Sequence, residues 1–256
     1  MLSGRADNGK VFGVATSKAA ARELKYEEPT YLTAKIYAQG SHQTKLLYEF
    51  KRVATRSGAT LKVQRDFTYP DGKLAARERV IYEGDNLVLY ELEERQIGAA
   101  GRASVRHSPE NPAKGSIEFE YAKEAGSKPK VRTEALANHT LINDMVGPFL
   151  VSHWDALMRG EKLKCRYIVV PRLETVGFTF FKEAEPVWQG RKLIRVRMEA
   201  SSPFVAALVD PLSFTIEQAP PHRVLQYVGR TTPKISVGGK WKDLDAVTVF
   251  DWETAR

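Results

Sequence analysis

Ala59-Thr60-Leu61-Lys62-Val63-Gln64-Arg65-Asp66-Phe67-Thr68-Tyr69-Pro70-Asp71-Gly72 carries the pattern that decides the fold. In an extended chain Leu61, Val63, Phe67 and Tyr69 share one face, with Arg65 interrupting them, and Thr60, Lys62, Gln64, Asp66 and Thr68 share the other. That alternation predicts a half-buried β-strand. Tyr69-Pro70-Asp71-Gly72 then supplies a turn: Pro presets φ, Asp can bond its own backbone, and Gly accepts a positive φ. Residues 73–82 read as the return strand, Glu83-Gly84-Asp85-Asn86 as the next turn, and 87–92 as the strand after it. Upstream, 45–53 reads as a strand that runs into Arg56-Ser57-Gly58.

The same alternation continues to the end of the chain. Ile117, Phe119 and Tyr121 alternate with glutamates, Ile194, Val196 and Met198 with charged residues, and Leu212, Phe214 and Ile216 with Ser213, Thr215 and Glu217. Pro220-Pro221 separates that strand from residues 224–228, and Val247 and Val249 close the pattern. The expected fold is mainly β: a long antiparallel meander forming a curved sheet or open barrel. Two helices are expected to interrupt it. One lies near 147–159, opened by Gly147-Pro148, carrying Leu150, Trp154, Leu157 and Met158 at helical spacing, and stopped by Gly160. The other is short and apolar, near 203–209, capped by Ser202 and ended by Asp210-Pro211. Being apolar all round, it is expected either inside a core or plugging a cavity mouth. Residues 98–112 and 123–130 read as loops, because strand patterns resume beyond each. The expectation is one β-rich domain over 1–256, with a flexible start at about 1–10 and two halves at 11–140 and 141–256.

The chain has 256 residues, 43% hydrophobic and 27% charged, which fits a globular protein and excludes collagen-like and low-complexity classes. Lys and Arg number 39 against 31 Asp and Glu, a net charge of +8. The excess is spread along the chain, with 23 basic against 18 acidic residues in 1–139 and 16 against 13 in 140–256. A dispersed excess of this kind suits solubility and weak attraction to anions, and a dedicated nucleic-acid surface is not expected. Aromatics beside cations, as in Lys240-Trp241-Lys242, arise on any amphipathic strand. Cys165 is the single cysteine, so no internal disulfide can form, and its strand-like setting suggests a buried structural thiol. The longest apolar run, residues 204–209, is far below the roughly 20 residues of a membrane-spanning helix.

Motifs with chemistry are scarce. Gly4-Arg5-Ala6-Asp7-Asn8-Gly9-Lys10 has phosphate-loop spacing but is followed by Val11 where the motif needs a hydroxyl. His42, His107, His139, His153 and His222 include no pair at metal-ligand spacing, and no Gly-x-Ser-x-Gly elbow is present. No catalytic residue, metal site or cofactor is expected, and an enzyme is less favoured than a binding protein.

The second half contains Ser152-His153-Trp154-Asp155-Ala156-Leu157-Met158-Arg159-Gly160-Glu161, then Arg172-Leu173-Glu174-Thr175-Val176-Gly177-Phe178, Pro211-Leu212-Ser213-Phe214 and Leu225-Gln226-Tyr227-Val228-Gly229-Arg230. Over roughly residues 45–252 this succession resembles uncharacterised bacterial envelope (periplasmic) β-meander proteins of unknown function. Their plan is similar to the periplasmic lipoprotein-carrier half-barrel. The resemblance implies an extracytoplasmic, non-catalytic binding or carrier protein for an apolar or lipid-like ligand, with an apolar concavity. Its partners would be a lipid or lipoprotein, or an envelope protein. Other readings are an envelope assembly or scaffold protein, and an enzyme acting on envelope glycan or lipid. Residues 1–10 carry no apolar signal-peptide core, so a periplasmic location is expected of a chain without its leader, with the cytoplasm as the alternative. Trp154, Phe178, Phe204 and Leu208 are the candidate ligand-binding residues, and the same four side chains could equally fill a solid core.

Overall fold

A computed structural model describes residues 29–111, 114–202, 206–207, 210–253 and 255. Among them, eight strands follow one another as an antiparallel meander: β1 (Tyr31–Ala38), β2 (Leu46–Ser57), β3 (Thr60–Thr68), β4 (Leu74–Glu83), β5 (Asn86–Glu94), β6 (Ala99–His107), β7 (Gly115–Ala122) and β8 (Lys130–Ala135). The turn after β3 forms as its chemistry predicts. Gly72 has φ 85°, its N–H donates to the Tyr69 carbonyl (2.8 Å), and the Lys73 N–H donates to the Asp71 carboxylate (3.0 Å).

The chain then crosses through β9 (Thr140–Leu141), a 3₁₀ turn (Asn143–Met145), and the helices α1 (Val146–Ser152) and α2 (Trp154–Met158). The helix expected near 147–159 is thus two short helices broken at His153. The imidazole Nδ1 of His153 donates to the Phe149 carbonyl (2.9 Å), and Ser152 Oγ donates to the same oxygen (2.9 Å). Both bonds sit at the junction, where His153 leaves the helical backbone at φ −108° and ψ 20°. Most of the second expected helix, near 203–209, including Phe204 and Leu208, lies outside the described residues, as do residues 1–10.

The later strands are β10 (Leu163–Val169), β11 (Glu174–Ala184), β12 (Val187–Trp188), β13 (Arg191–Ala200), β14 (Leu212–Glu217), β15 (Val224–Arg230), β16 (Ile235–Val237), β17 (Lys240–Lys242) and β18 (Asp245–Asp251). β16 and β17 form a separate hairpin. The others join one sheet in the order β8-β7-β6-β5-β4-β3-β2-β1-β18-β15-β14-β13-β11-β10-β9, with β12 added beside β13. Every pairing in that sheet is antiparallel except β9 on β10. The sheet does not close through backbone pairing, but β8 and β11 approach each other. Glu134 on β8 accepts from the Thr175 N–H (2.9 Å) and hydroxyl (3.0 Å), and Arg132 lies 3.6 Å from Glu174. Side chains therefore bridge the gap that the backbone leaves, and the result is an open barrel.

Apolar side chains fill the inner face in two clusters. The larger packs residues of β3–β7 against β10–β14, with Phe149, Leu150 and Leu157 of the helical segment between them. Gly101 on β6 makes room for this packing, since a Cβ there would sit 2.7 Å from a Val170 methyl. The smaller cluster gathers Ala34, Ile36, Tyr48, Phe50, Phe67 and Ala246 beneath β1–β3 and β18.

Candidate functional site

Arg65 interrupts the apolar face of β3, and the register shows that it does not do so alone. Arg52 on β2 lies directly opposite Arg65, and Arg65 lies directly opposite Glu78 on β4. Three charges thus form a cross-strand row on the inward side of the sheet. A buried charge is costly unless it is paired and its hydrogen bonds are met. The 3₁₀ turn supplies the fourth charge: Asp144 accepts from Arg52 Nε (2.7 Å), from Arg52 Nη2 (3.3 Å) and from the Tyr82 hydroxyl (3.1 Å). Arg65 donates through Nη1 to Glu78, which also accepts from the Thr232 hydroxyl and from the Asn143 amide (3.4 Å). Arg52 further bonds the Pro29 carbonyl, and Tyr167 the Asn143 side chain.

Arg65 is held over two rings, its guanidinium carbon 5.1 Å from the Phe50 centroid and 5.9 Å from that of Phe67. Burial works against its charge, but Glu78 and Asp144 outweigh burial and raise its pKa above the ordinary arginine value. The Tyr90 phenol is pushed well up by burial and by the charge of Glu78. Arg65 Nε is buried without a hydrogen-bond partner, 3.9 Å from the Asp144 carboxylate.

Arg52, Arg65 and Asp144 of this row line one wall of a cavity of about 800 Å³. The apolar part of its lining comes from β1 (Leu32, Ile36), β2 and β3 (Phe50, Phe67), β14 and β15 (Phe214, Val224, Tyr227) and β18 (Phe250). Val146, Pro148 and Val151 of α1, the turn at Pro221–Arg223, and Trp252 complete it. Burial separates an inner wall from a rim. Leu32, Ile36, Phe50, Arg52, Phe67 and Asp144 are buried, whereas Val151, Pro221 and Arg223 are exposed. At the rim, Trp252 Nε1 donates to the Val224 carbonyl (2.7 Å) and the Arg223 guanidinium lies 5.6 Å from its ring. Between β15 and β16, the irregular segment from Thr231 to Lys234 is pinned into the barrel. Gln96 donates to the Tyr48 hydroxyl (2.9 Å) and to the Lys234 carbonyl (2.9 Å), and Lys234 Nζ lies 3.1 Å from Glu94. Burial at this junction pushes the Tyr48 phenol up to about 12.

Two of the expected ligand-binding residues, Trp154 and Phe178, lie outside the cavity lining. Trp154 is half-buried against the larger cluster and stacks on His222 (centroids 3.8 Å apart), and Phe178 is buried within that cluster, 6.0 Å from the Tyr167 ring. The structure brings both into the core and neither into the cavity lining. Phe204 and Leu208 lie outside the described residues. Cys165 is buried in β10, and burial pushes its thiol up to about 12, which suits a packing group and not a nucleophile. Among the described residues no three His, Cys, Asp or Glu side chains are placed to hold a metal ion. Sequence reasoning passed over Arg52, Glu78 and Asp144. The signal for the first two was the one Arg65 gave, a charge standing in the apolar phase of an alternating strand, whereas Asp144 lies in a turn with no such phase.

No protein-family model matches the chain, and neither does any curated protein. Among solved structures it is similar to a β-barrel-like protein of domain of unknown function DUF1849 from Brucella abortus, at 9% identity and a TM-score of 0.37, with 86% of this chain and 95% of that one covered. It is also similar to a porin-like protein from Bacteroides uniformis, at 10% identity and a TM-score of 0.21, covering 89% and 96%.

Proposed function

We propose that the chain is a non-catalytic, extracytoplasmic binding or carrier protein for an apolar or lipid-like ligand. The observation that carries this reading is the cavity, whose volume of about 800 Å³ falls within the range of about 300–1,000 Å³ usual for small-molecule sites. Its lining has the composition such sites use: aromatic and aliphatic walls with a few fixed polar groups. Desolvating a hydrocarbon against Leu32, Ile36, Phe50 and Phe250 supplies affinity, and the ordered polar row gives orientation. The extracytoplasmic setting rests on the likeness of the 152–230 motifs to envelope proteins.

Native mass spectrometry of the protein isolated from its natural host, and again after incubation with a total lipid extract, tests the reading. A one-to-one lipid adduct that a short-chain detergent displaces is the expected result. Absence of co-purified lipid together with absence of uptake would count decisively against it.

An envelope scaffold role has one observation in its favour. Val187 (68% exposed) and Trp188 (55%) project from the β12–β13 hairpin, where solvent contact gives them no packing partner. If that tip is a protein contact, Trp188→Asp should abolish co-purification of an envelope protein that the wild type retains. Equal recovery by both would refute it.

A further inference from the structure

A cavity built only for hydrocarbon would gain nothing from a row of charges along its inner wall, because every member must be desolvated and paired. The row on β2–β4 is nearly self-sufficient, and the capacity left over has one sign. The acceptors are engaged: Asp144 by Arg52 and Tyr82, and Glu78 by Arg65, Asn143 and Thr232. The group left over is a donor. Arg65 gives one edge to Glu78 and has its face over the Phe50 and Phe67 rings, while its Nε finds no acceptor within hydrogen-bond distance. Spare donor capacity on a fixed cation calls for an oxygen acceptor, best of all a charged one.

The buried charges also have a place along the cavity. The inner wall sets Arg52, Arg65 and Asp144 among the buried Leu32, Ile36, Phe50 and Phe67, while the outer part runs over Pro148, Val151, Pro221, Val224 and Trp252 beside the exposed Arg223. That order suits a molecule that enters polar end first and leaves its chain along the rim. Arg223, the cation at the rim, is exposed, and an ion pair there is screened by water and distinguishes head groups poorly.

Resting on the carrier reading above, we infer that the ligand is a single-chain amphiphile with a carboxylate-type anionic head, seated inward at Arg65, with its chain running outward past Phe250 and Trp252. The head's oxygen meets the part of the Arg65 guanidinium that borders the cavity, and Phe50 and Phe67 hold the guanidinium in place for it.

A head-group series on the wild-type chain tests this by isothermal titration with hexadecanoate, methyl hexadecanoate, hexadecan-1-ol and hexadecylamine, all below their aggregation limits. Hexadecanoate should bind about ten- to a hundredfold more tightly than the alcohol, with the ester between them and the amine weakest. Arg65→Gln should remove the preference for the acid while retaining alcohol binding, and Arg223→Ala should leave the preference intact. Because Arg65→Gln takes away the cation that neutralises Glu78, the double variant Arg65→Gln/Glu78→Gln serves where the single one fails to fold. Equal affinity for all four compounds, tightest binding of the amine, or loss of the acid preference in Arg223→Ala alone would overturn the inward carboxylate site and leave the carrier reading standing. Binding of none of the four would overturn both.

Discussion

Two parts of the barrel interior are lined by strands of the same alternating kind, yet one is solid and the other hollow. Between β3–β7 and β10–β14, Phe119, Phe149, Phe180, Leu150 and Ile194 are each 1% exposed or less, and the helical segment fills what the curved sheet would leave open. Beneath β1, β18 and β15, no helix among the described residues fills the equivalent space: α1 only borders it, and Ile36, Phe50, Phe67 and Phe250 line a cavity. Alternation alone does not decide whether a concavity is filled. What decides is whether an element from elsewhere in the chain is inserted, and which side chains a neighbouring row of charges keeps from collapsing onto one another.

Matched substitutions sharpen this contrast. Phe180→Ala, in the solid part, should lower stability by about 3–5 kcal/mol, whereas Phe250→Ala, already bordering the void, should cost about 2 kcal/mol; urea denaturation of both reads the difference, and equal losses would break the comparison. Asp144→Asn keeps the shape of the turn but removes the charge that neutralises Arg52. It should cost about 3 kcal/mol by the same measurement and shrink the cavity's inner wall in a crystal structure. Ile194→Phe should cost about 2 kcal/mol by overpacking, while Val224→Phe, at a half-buried position on the cavity lining, should be accommodated with little change in denaturation midpoint and should compete with any bound ligand.

The smallest effect concerns pH. His139 packs against Phe149 and His153 (centroids 5.4 and 5.3 Å), and burial, aided by His153, lowers its pKa in the folded state. The stability that the neutral ring contributes is present above the unfolded value of about 6.5 and is lost as pH falls through the folded one. The denaturation midpoint should therefore drop modestly between about pH 7 and pH 5. His139→Asn, which tolerates the left-handed φ of 54° at this position, should flatten the drop. A profile unchanged by that substitution would place the sensitivity elsewhere.

Much of the fold could be read from local chemistry. Period-2 alternation located many of the strands, although Ala99–His107, inside a stretch that reads as a loop, forms β6, and Pro70-Asp71-Gly72 specified a turn that formed with the expected Asp71 bond. The break at His153 could not be read, since the apolar spacing runs through it and only the local backbone, with φ −108° and ψ 20° at His153, departs from a helix. The site was legible only in fragments. Arg65 stood out on its own strand, but its meaning required the register that sets it beside Arg52 and Glu78 and the distant turn that delivers Asp144. Trp154 and Phe178 were chosen for being large and apolar, a property that core residues share with pocket residues. The cavity wall draws on both ends of the chain, and no window along the sequence contains it.

The pairing of β1 with β18 has a consequence for assembly. β1 finds β2 at once through a short connection, but its other side waits for residues 245–251, the last strand of the sheet in chain order. During synthesis the first hairpins can zip up early, while the compartment they border stays open to solvent on one flank until residues 245–251 have emerged. Such a long-range closure slows folding. It also makes the cavity a late feature of the fold, complete only when its last wall is in place.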